Sequence, residues 1–401
     1  MRGAPAAAAV WASAVVAASA CAPRTPPAPP MPAALARPDW HAVTAYLDSA
    51  VAAGAAPGAV LGVSVGGRRF FYGTGRLGQD DATRPDSGTI YDLASVTKVV
   101  ALTTLAMMAV DEGRLDLDAP IQRYVPEFQG HDKERVTVRH LLTHSSGLPP
   151  FRLLYRETAT REEALALTDT TALDTVPGAR EVYSDLGIIV LTQAIERLFG
   201  SRIDTLFAER VAGPLGLSSM RYLPPASWIP RIAPTEDDPW RGRVLRGEVH
   251  DENTARLGGV SGHAGLFSDA LDLVRFGEWI AAGLARPAAT LRLARAIAPA
   301  PPAPPRSLAA FAVRQDLVPG SSRALGWDTP SGVSSGGSHI ARTSIGHTGF
   351  TGTSIWIDPT RDLVIVLLSN RVHPTRANDR WRPVRGHVAD LVFAALFPDA
   401  S

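Results

Sequence analysis

The sequence predicts an α+β protein, an antiparallel sheet flanked by helices and interrupted by an inserted, mainly helical domain. Two observations carry this. Strand patterns open the folded part, at Ala59 to Val65 and Arg69 to Gly73, and return late, at Ser344 to Gly346, Thr353 to Ile357 and Leu363 to Leu368. The long stretch between them reads as helices and loops. A cleft between the sheet and the helical part is the natural ligand site of such a layout.

Each element has a local reason. An amphipathic helix is expected near Trp40 to Ala53, and Gly66-Gly67 joins the first two strands as a hairpin. Tyr91 to Thr97 leads into a long apolar helix over about Val96 to Glu112, which Gly113 ends. Pro177-Gly178 turns the chain before a second apolar helix, Leu186 to Phe199. Asp358-Pro359-Thr360-Arg361-Asp362 is a turn between the last two strands, and a final helix covers roughly Trp381 to Leu396. The sheet part is therefore assigned to about 39–95 and 323–396, and the helical part to about 96–322.

Ahead of this domain, residues 2–20 run from Arg2 through an Ala/Val stretch to Ala18-Ser19-Ala20, the pattern of an export signal. Cys21 follows directly, as in a bacterial lipobox, with Ala18 where Leu is usual. Two readings stay open: Cys21 is lipidated and anchors the chain to a membrane, or cleavage at a neighbouring Ala-x-Ala site leaves it lost or free. Residues 22–38 form a Pro-rich, semi-rigid tether. Residues 1–21 are read as signal peptide, 39–396 as the folded domain, and the destination as periplasm or membrane.

Composition narrows the function. A net charge of +1 leaves no electrostatic footprint for nucleic acid, and Arg241, Arg243 and Arg246 read as solvated loop surface. One cysteine excludes an intramolecular disulfide and a cysteine-rich zinc site. Only two residues are lysine, Lys98 and Lys133; arginine, which cannot give up its proton, supplies the remaining positive charge.

The chemistry centres on Ser95-Val96-Thr97-Lys98 at the entry to the apolar helix. Spacing i, i+3 puts both side chains on one face, one turn apart. A serine hydroxyl attacks a carbonyl only when a neighbouring base takes its proton. Lysine can be that base if burial and neighbours lower its pKa, which the apolar helix favours. In Tyr183-Ser184-Asp185, the phenol can shuttle a proton to a leaving group; the competing reading is a buried core tyrosine. In His347-Thr348-Gly349, the glycine lets a substrate backbone approach closely, and the N–H groups of Phe350 and Ser95 can hold an oxyanion.

The order of these motifs resembles the serine β-lactamase and penicillin-binding-protein family, in its class C-related branch. Leu141-Leu142-Thr143-His144-Ser145-Ser146-Gly147-Leu148-Pro149 looks like a landmark of that branch. The segments Val249 to Asn253 and Gly258 to Ser268 resemble a cell-wall-associated subgroup with muropeptide amidases and D-Ala-D-Ala carboxypeptidases among its members. The resemblance implies a β-lactamase/transpeptidase-like fold over about 40–396. It implies a serine hydrolase acting through an acyl-enzyme, without cofactor or metal, on a small-molecule or peptide substrate related to the cell wall. Ser95, Lys98 and Tyr183 would be catalytic, with Asp185, His347, Thr348 and Gly349 binding substrate. A β-lactamase, or a non-catalytic sensor of the same fold, is the alternative. His347 stands where the family's third motif has Lys, and Asp185 where its second has Asn. A histidine is mostly neutral near pH 7, so recognition of a substrate carboxylate is expected to weaken unless Arg342 or another arginine supplies the charge.

Competing sites read less well. Gly62-Val63-Ser64-Val65-Gly66 and Gly332-Val333-Ser334-Ser335-Gly336 fit G-x-S-x-G, yet neither stands in a strand–turn–helix context. His140 and His144 lack the Glu of H-E-x-x-H and read as helix-end and loop hydrogen-bonders. His250 and His263 are placed on the cleft floor, and Asp116 and Asp118 at a turn.

Overall fold

The computed structural model describes residues 38–285 and 301–398. The signal segment, Cys21 and the tether up to Arg37 lie outside the described residues. The main sheet has five strands: β1 (Gly58–Val65), β2 (Arg68–Gly75), β3 (Ile345–Thr348), β4 (Ser354–Asp358) and β5 (Leu363–Ser369). Their order is β2-β1-β5-β4-β3, antiparallel throughout. The first and last strand-forming segments thus meet in the middle, with Leu61 opposite Leu367 and Gly62 opposite Val366. Gly66 and Gly67, at φ +54° and +76°, make the tight β1–β2 turn in a conformation that suits the twist of a hairpin.

The helices that pack on the sheet and form the larger core are α1 (His41–Ala52), α2 (Thr104–Asp111), α3 (Asp185–Phe199), α4 (Ala270–Leu284) and α5 (Arg382–Leu396). Successive strand residues face opposite sides, and both sides are buried. Ala59, Leu61, Val63, Ile365 and Leu367 pack with Val43 and Leu47 of α1 and Val384, Val388 and Val392 of α5. Val60, Val364, Val366 and Leu368 join the larger core, which takes in α4 and the helical region. Gly277 lets α4 lie this close: a Cβ there would come 2.5 Å from Val364 Cγ1.

Two elements differ from their sequence reading. The expected strand Ser344 to Gly346 is Ile345–Thr348, because His347 and Thr348 pair with Ile355 and Ser354 of β4; that register comes from the partner strand, not from local pattern. The long helix after Ser95 is not uniform. Lys98–Thr103 is a π-helical stretch that feeds α2, and Gly113 follows at φ +67°. Such stretches widen the helix by one residue per turn and occur often at functional sites.

Candidate active site

Ser95 sits on a strained turn between a two-residue strand, Tyr91–Asp92, and the π-helical stretch. Ala94 has φ +45°, a left-handed conformation that costs a residue with a Cβ and persists only where neighbours enforce it. The enforcement is visible. The Asp92 carboxylate accepts the Ala94 N–H at 2.8 Å, and the carbonyls of Asp92 and Leu93 accept the hydroxyls of Thr351 and Thr353 at 2.7 and 2.9 Å. The third-motif segment therefore clamps the turn that presents Ser95.

One turn on, Lys98 Nζ donates to Ser95 Oγ at 2.9 Å and to the His263 carbonyl at 3.0 Å, and lies 2.7 Å from Asp185 Oδ1. Three acceptors match the three protons of an ammonium. The side chain is 2 % exposed. Burial works to lower its pKa, but Asp185 and then Tyr183 overcome it and hold the pKa above the ordinary lysine value. This corrects the expectation of an uncharged lysine. The apolar helix supplies desolvation, and the acid of the second motif reverses its effect.

The Tyr183-Ser184-Asp185 motif is set by the Leu141 to Pro149 landmark. The His144 ring packs on the Tyr183 ring at 4.4 Å between centroids, its Nδ1 accepts the Ser184 N–H at 3.1 Å, and the Ser184 hydroxyl donates to the Pro149 carbonyl at 2.7 Å. The same Ser184 oxygen caps α3 through the Gly187 N–H. Tyr183 also meets two cations over its ring, Lys98 Nζ at 4.9 Å and the Arg323 guanidinium at 5.3 Å. Arg323 in turn donates to Glu181 at 2.8 Å.

Ser95, Tyr183, Arg323, His347, Thr348, Gly349, Phe350 and Arg385 line one cleft of about 500 Å³. Asp185 is not among its lining residues; its carboxylate is turned to Lys98. The N–H groups of Ser95 and Phe350 have no acceptor among the described residues. His347 Nδ1 lies 2.8 Å from the Thr348 carbonyl, which fixes Nδ1 as donor and leaves Nε2, buried and without a partner, as acceptor. Burial, then Arg323 and Lys98, push the His347 pKa well below 6.5. The third motif therefore carries no charge. The cations of the cleft are arginines instead: Arg323, Arg371, Arg382 and Arg385, while Arg342 lies exposed elsewhere. Arg385 is buried, gives one N–H to the Gly349 carbonyl at 2.7 Å and leaves Nε unpaired. Burial, then Arg371 and Arg382, pull its pKa down to about 9.

His250 and His263 do not line this cleft. His250 is buried against Glu236 at 2.9 Å, and His263 reaches the site through its carbonyl alone. His140 helps to cap the short helix Val138–Leu142. Ser64 faces Glu278 from within β1, and Lys133 is buried over Phe128, lining a separate cavity. Among the described residues, no group of three or more His, Cys, Asp or Glu is arranged to hold a metal.

Neutral burial of His144 and His347 has a consequence for stability. Burial, helped by Arg323 and Lys98, puts both below 6.5, so below that pH the unfolded chain binds protons that the folded chain refuses. Their effect on stability is nil above about pH 6.5 and becomes a growing loss as pH falls. His347→Gln is expected to lose less stability than the parent between pH 6.5 and 5, by up to about 1.4 kcal/mol per pH unit. Denaturant unfolding at pH 7, 6 and 5 checks this; parallel curves for the two proteins would refute it.

A serine in contact with a lysine at the wall of a cleft is an arrangement that suits acyl transfer by a serine hydrolase. The chain belongs to the Beta-lactamase family, which it matches over residues 43–389. It is 30% identical over 353 residues to an N-acetylmuramyl-L-alanine amidase of Bacillus subtilis (strain 168), covering 79% of this chain and 78% of that protein. Two solved structures share the fold. A penicillin-binding protein homolog from Caulobacter crescentus superposes with TM-score 0.69 at 21% identity, covering 90% of this chain and 98% of its own. A beta-lactamase/D-alanine carboxypeptidase from Pseudomonas syringae gives 0.66 at 20%, covering 88% and 98%.

Sequence reasoning missed four parts of this arrangement: Arg323, Arg385, the threonine clamp of Thr351 and Thr353, and His144 beneath Tyr183. The landmark containing His144 was a usable signal for the last. The arginines carry none, being two among many.

Proposed function

We propose that the protein is an exported hydrolase of cell-wall peptides that forms an acyl-enzyme on Ser95. The observation that carries this reading is the Ser95–Lys98–Asp185 array, opening on a cleft whose buried Arg385 keeps an unpaired N–H. Muropeptide stems are amides that carry free carboxylates, and a guanidinium held in a pocket suits a carboxylate. The amidase relative supports cleavage at the muramyl–alanine bond, and the D-alanine carboxypeptidase neighbour supports removal of a terminal D-Ala. Export rests on the Arg2 to Cys21 pattern.

Ser95 Oγ attacks the amide carbonyl carbon. Its proton passes to Lys98 as Lys98 hands one to Asp185, so the pair gains one proton in all. The N–H groups of Ser95 and Phe350 hold the oxygen that becomes negative. When the tetrahedral intermediate collapses, the C–N bond breaks and the proton returns, through Tyr183, to the leaving nitrogen. Water then attacks the ester carbon and gives its proton to the Lys98–Asp185 pair; the C–Oγ bond breaks, that proton returns to Ser95 Oγ, and the acid product leaves.

A turnover panel of muropeptide, D-Ala-terminated peptide, short-chain ester and β-lactam tests the reading. Turnover is expected on the first two, and Arg385→Ala should raise KM about tenfold for carboxylate-bearing substrates and leave uncharged esters unchanged, a tenfold loss being 1.4 kcal/mol of binding. Turnover confined to β-lactams, or acylation without release, would replace the proposal with the β-lactamase or the sensor.

A further inference from the structure

Behind Lys98 lies a chain of groups that the proposed mechanism does not use. His263 is 1 % exposed, and both ring nitrogens are engaged. Nδ1 meets Ser261 Oγ at 2.8 Å; Nε2 meets Asp251 Oδ1 and Thr254 Oγ1, each at 2.9 Å. Asp251 is anchored as the cap of the helix Glu252–Arg256, accepting the Thr254 N–H at 2.6 Å. Burial works to raise its pKa, yet His263 and Thr254 overcome this and hold the carboxyl below the usual range. On either side the backbone is stapled to the helices of the site, Gly262 N–H to Thr192 Oγ1 of α3 at 3.1 Å and Leu266 N–H to Thr97 Oγ1 at 3.2 Å.

The ring is therefore fixed at both ends, and the peptide plane that follows it is fixed with it. That plane carries the carbonyl which accepts the third proton of Lys98. An ammonium donating to Ser95, Asp185 and one carbonyl stays aimed at Ser95 only while all three acceptors hold still. An aliphatic side chain would fill the space around His263 without tying this peptide to a carboxylate and a hydroxyl.

We propose that Asp251, His263 and Ser261 form a positioning relay that aims the His263 carbonyl at Lys98 and so keeps the lysine in register with Ser95. None of the three lines the cleft, so none is a catalytic residue. The inference rests on the reading of Ser95 as nucleophile. A loosened peptide lets Nζ drift by a fraction of an ångström. Because catalysis depends steeply on the alignment of reacting groups, this slows acylation and leaves substrate binding alone.

The test is acylation of the full chain by a fluorophosphonate, with the limiting rate and the half-saturating concentration measured separately. Asp251→Asn keeps an acceptor for the helix cap but loses the charge that holds the ring. Its limiting rate is expected to fall about tenfold, with the half-saturating concentration unchanged, and Asp251→Glu should recover part of the loss. Ser261→Ala frees the other nitrogen and is read in the same way if Asp251→Asn does not fold. A wild-type limiting rate in the folded variants, or a loss seen only in thermal stability, overturns the relay. Absence of label on Ser95 in the parent would instead overturn the nucleophile assignment, a separate result.

Discussion

Ser95→Ala is expected to cut turnover by about 10⁴-fold or more and to abolish labelling by a fluorophosphonate. The hydroxyl is the one group that joins three features: it touches Lys98 Nζ at 2.9 Å, it lines the cleft, and its own N–H is free to face a substrate oxygen. The turn behind it is held in a left-handed conformation at Ala94, strain that would serve no purpose if the serine merely filled space. Ser334 is the instructive rival. It also lines the cleft and stands in a G-x-S-x-G string, but its oxygen accepts the Gly336 N–H at 3.0 Å, and among the described residues no lysine or histidine is hydrogen-bonded to it. Peptide mapping of the labelled parent decides between them. A label on Ser334, or undiminished labelling of Ser95→Ala, would sink the assignment. The folded state should barely change, because the alanine removes one hydrogen bond from a lysine that keeps two other acceptors.

Much of the frame was legible because it is written in local periods. The first hairpin, the late strands and the final helix follow from alternation, turn residues and apolar stripes, and the structure has each within two residues at its ends. The serine–lysine contact was legible for the same reason: i, i+3 on one helix turn is a distance the sequence states outright. What stayed hidden depends on contacts between distant segments. The charge on Lys98 is decided by Asp185, on a different helix, and the π-helical stretch could not be read from an apolar run that suits either geometry. His250 and His263, read as cleft floor, lie behind it, because a histidine's neighbours in sequence say nothing about which side of a loop is covered.

The third motif links these points. His347 replaces a cation, and the structure makes the loss complete by burying the ring beside Arg323 and Lys98, two charges that oppose its protonation. The positive potential of the cleft has not vanished. It has moved to arginines on other segments, Arg323 against Tyr183 and Arg385 behind Gly349. The cleft wall thus carries its positive charge on Arg323, Arg371, Arg382 and Arg385 rather than on the third motif.

Lys98→Met is expected to reduce acylation by about 10³-fold or more, comparable to losing a general base outright. Methionine matches the length of the lysine stem and packs in the same apolar sleeve, so the loss reports chemistry more than volume. It also leaves the Asp185 carboxylate, 18% exposed at its side chain, without its cation, and the fold should lose stability for that reason. Rates must therefore be measured on the folded fraction. Lys98→Arg separates the two contributions the lysine makes. Arginine keeps the charge and can still satisfy Asp185, but it cannot release a proton to the carboxylate as it receives one from the serine. If proton exchange within the Lys98–Asp185 pair drives acylation, Lys98→Arg should be nearly as slow as Lys98→Met while regaining most of the lost stability. If Lys98→Arg acylates at close to the parental rate, the ammonium acts by its field alone, and the proton of Ser95 must leave by another route.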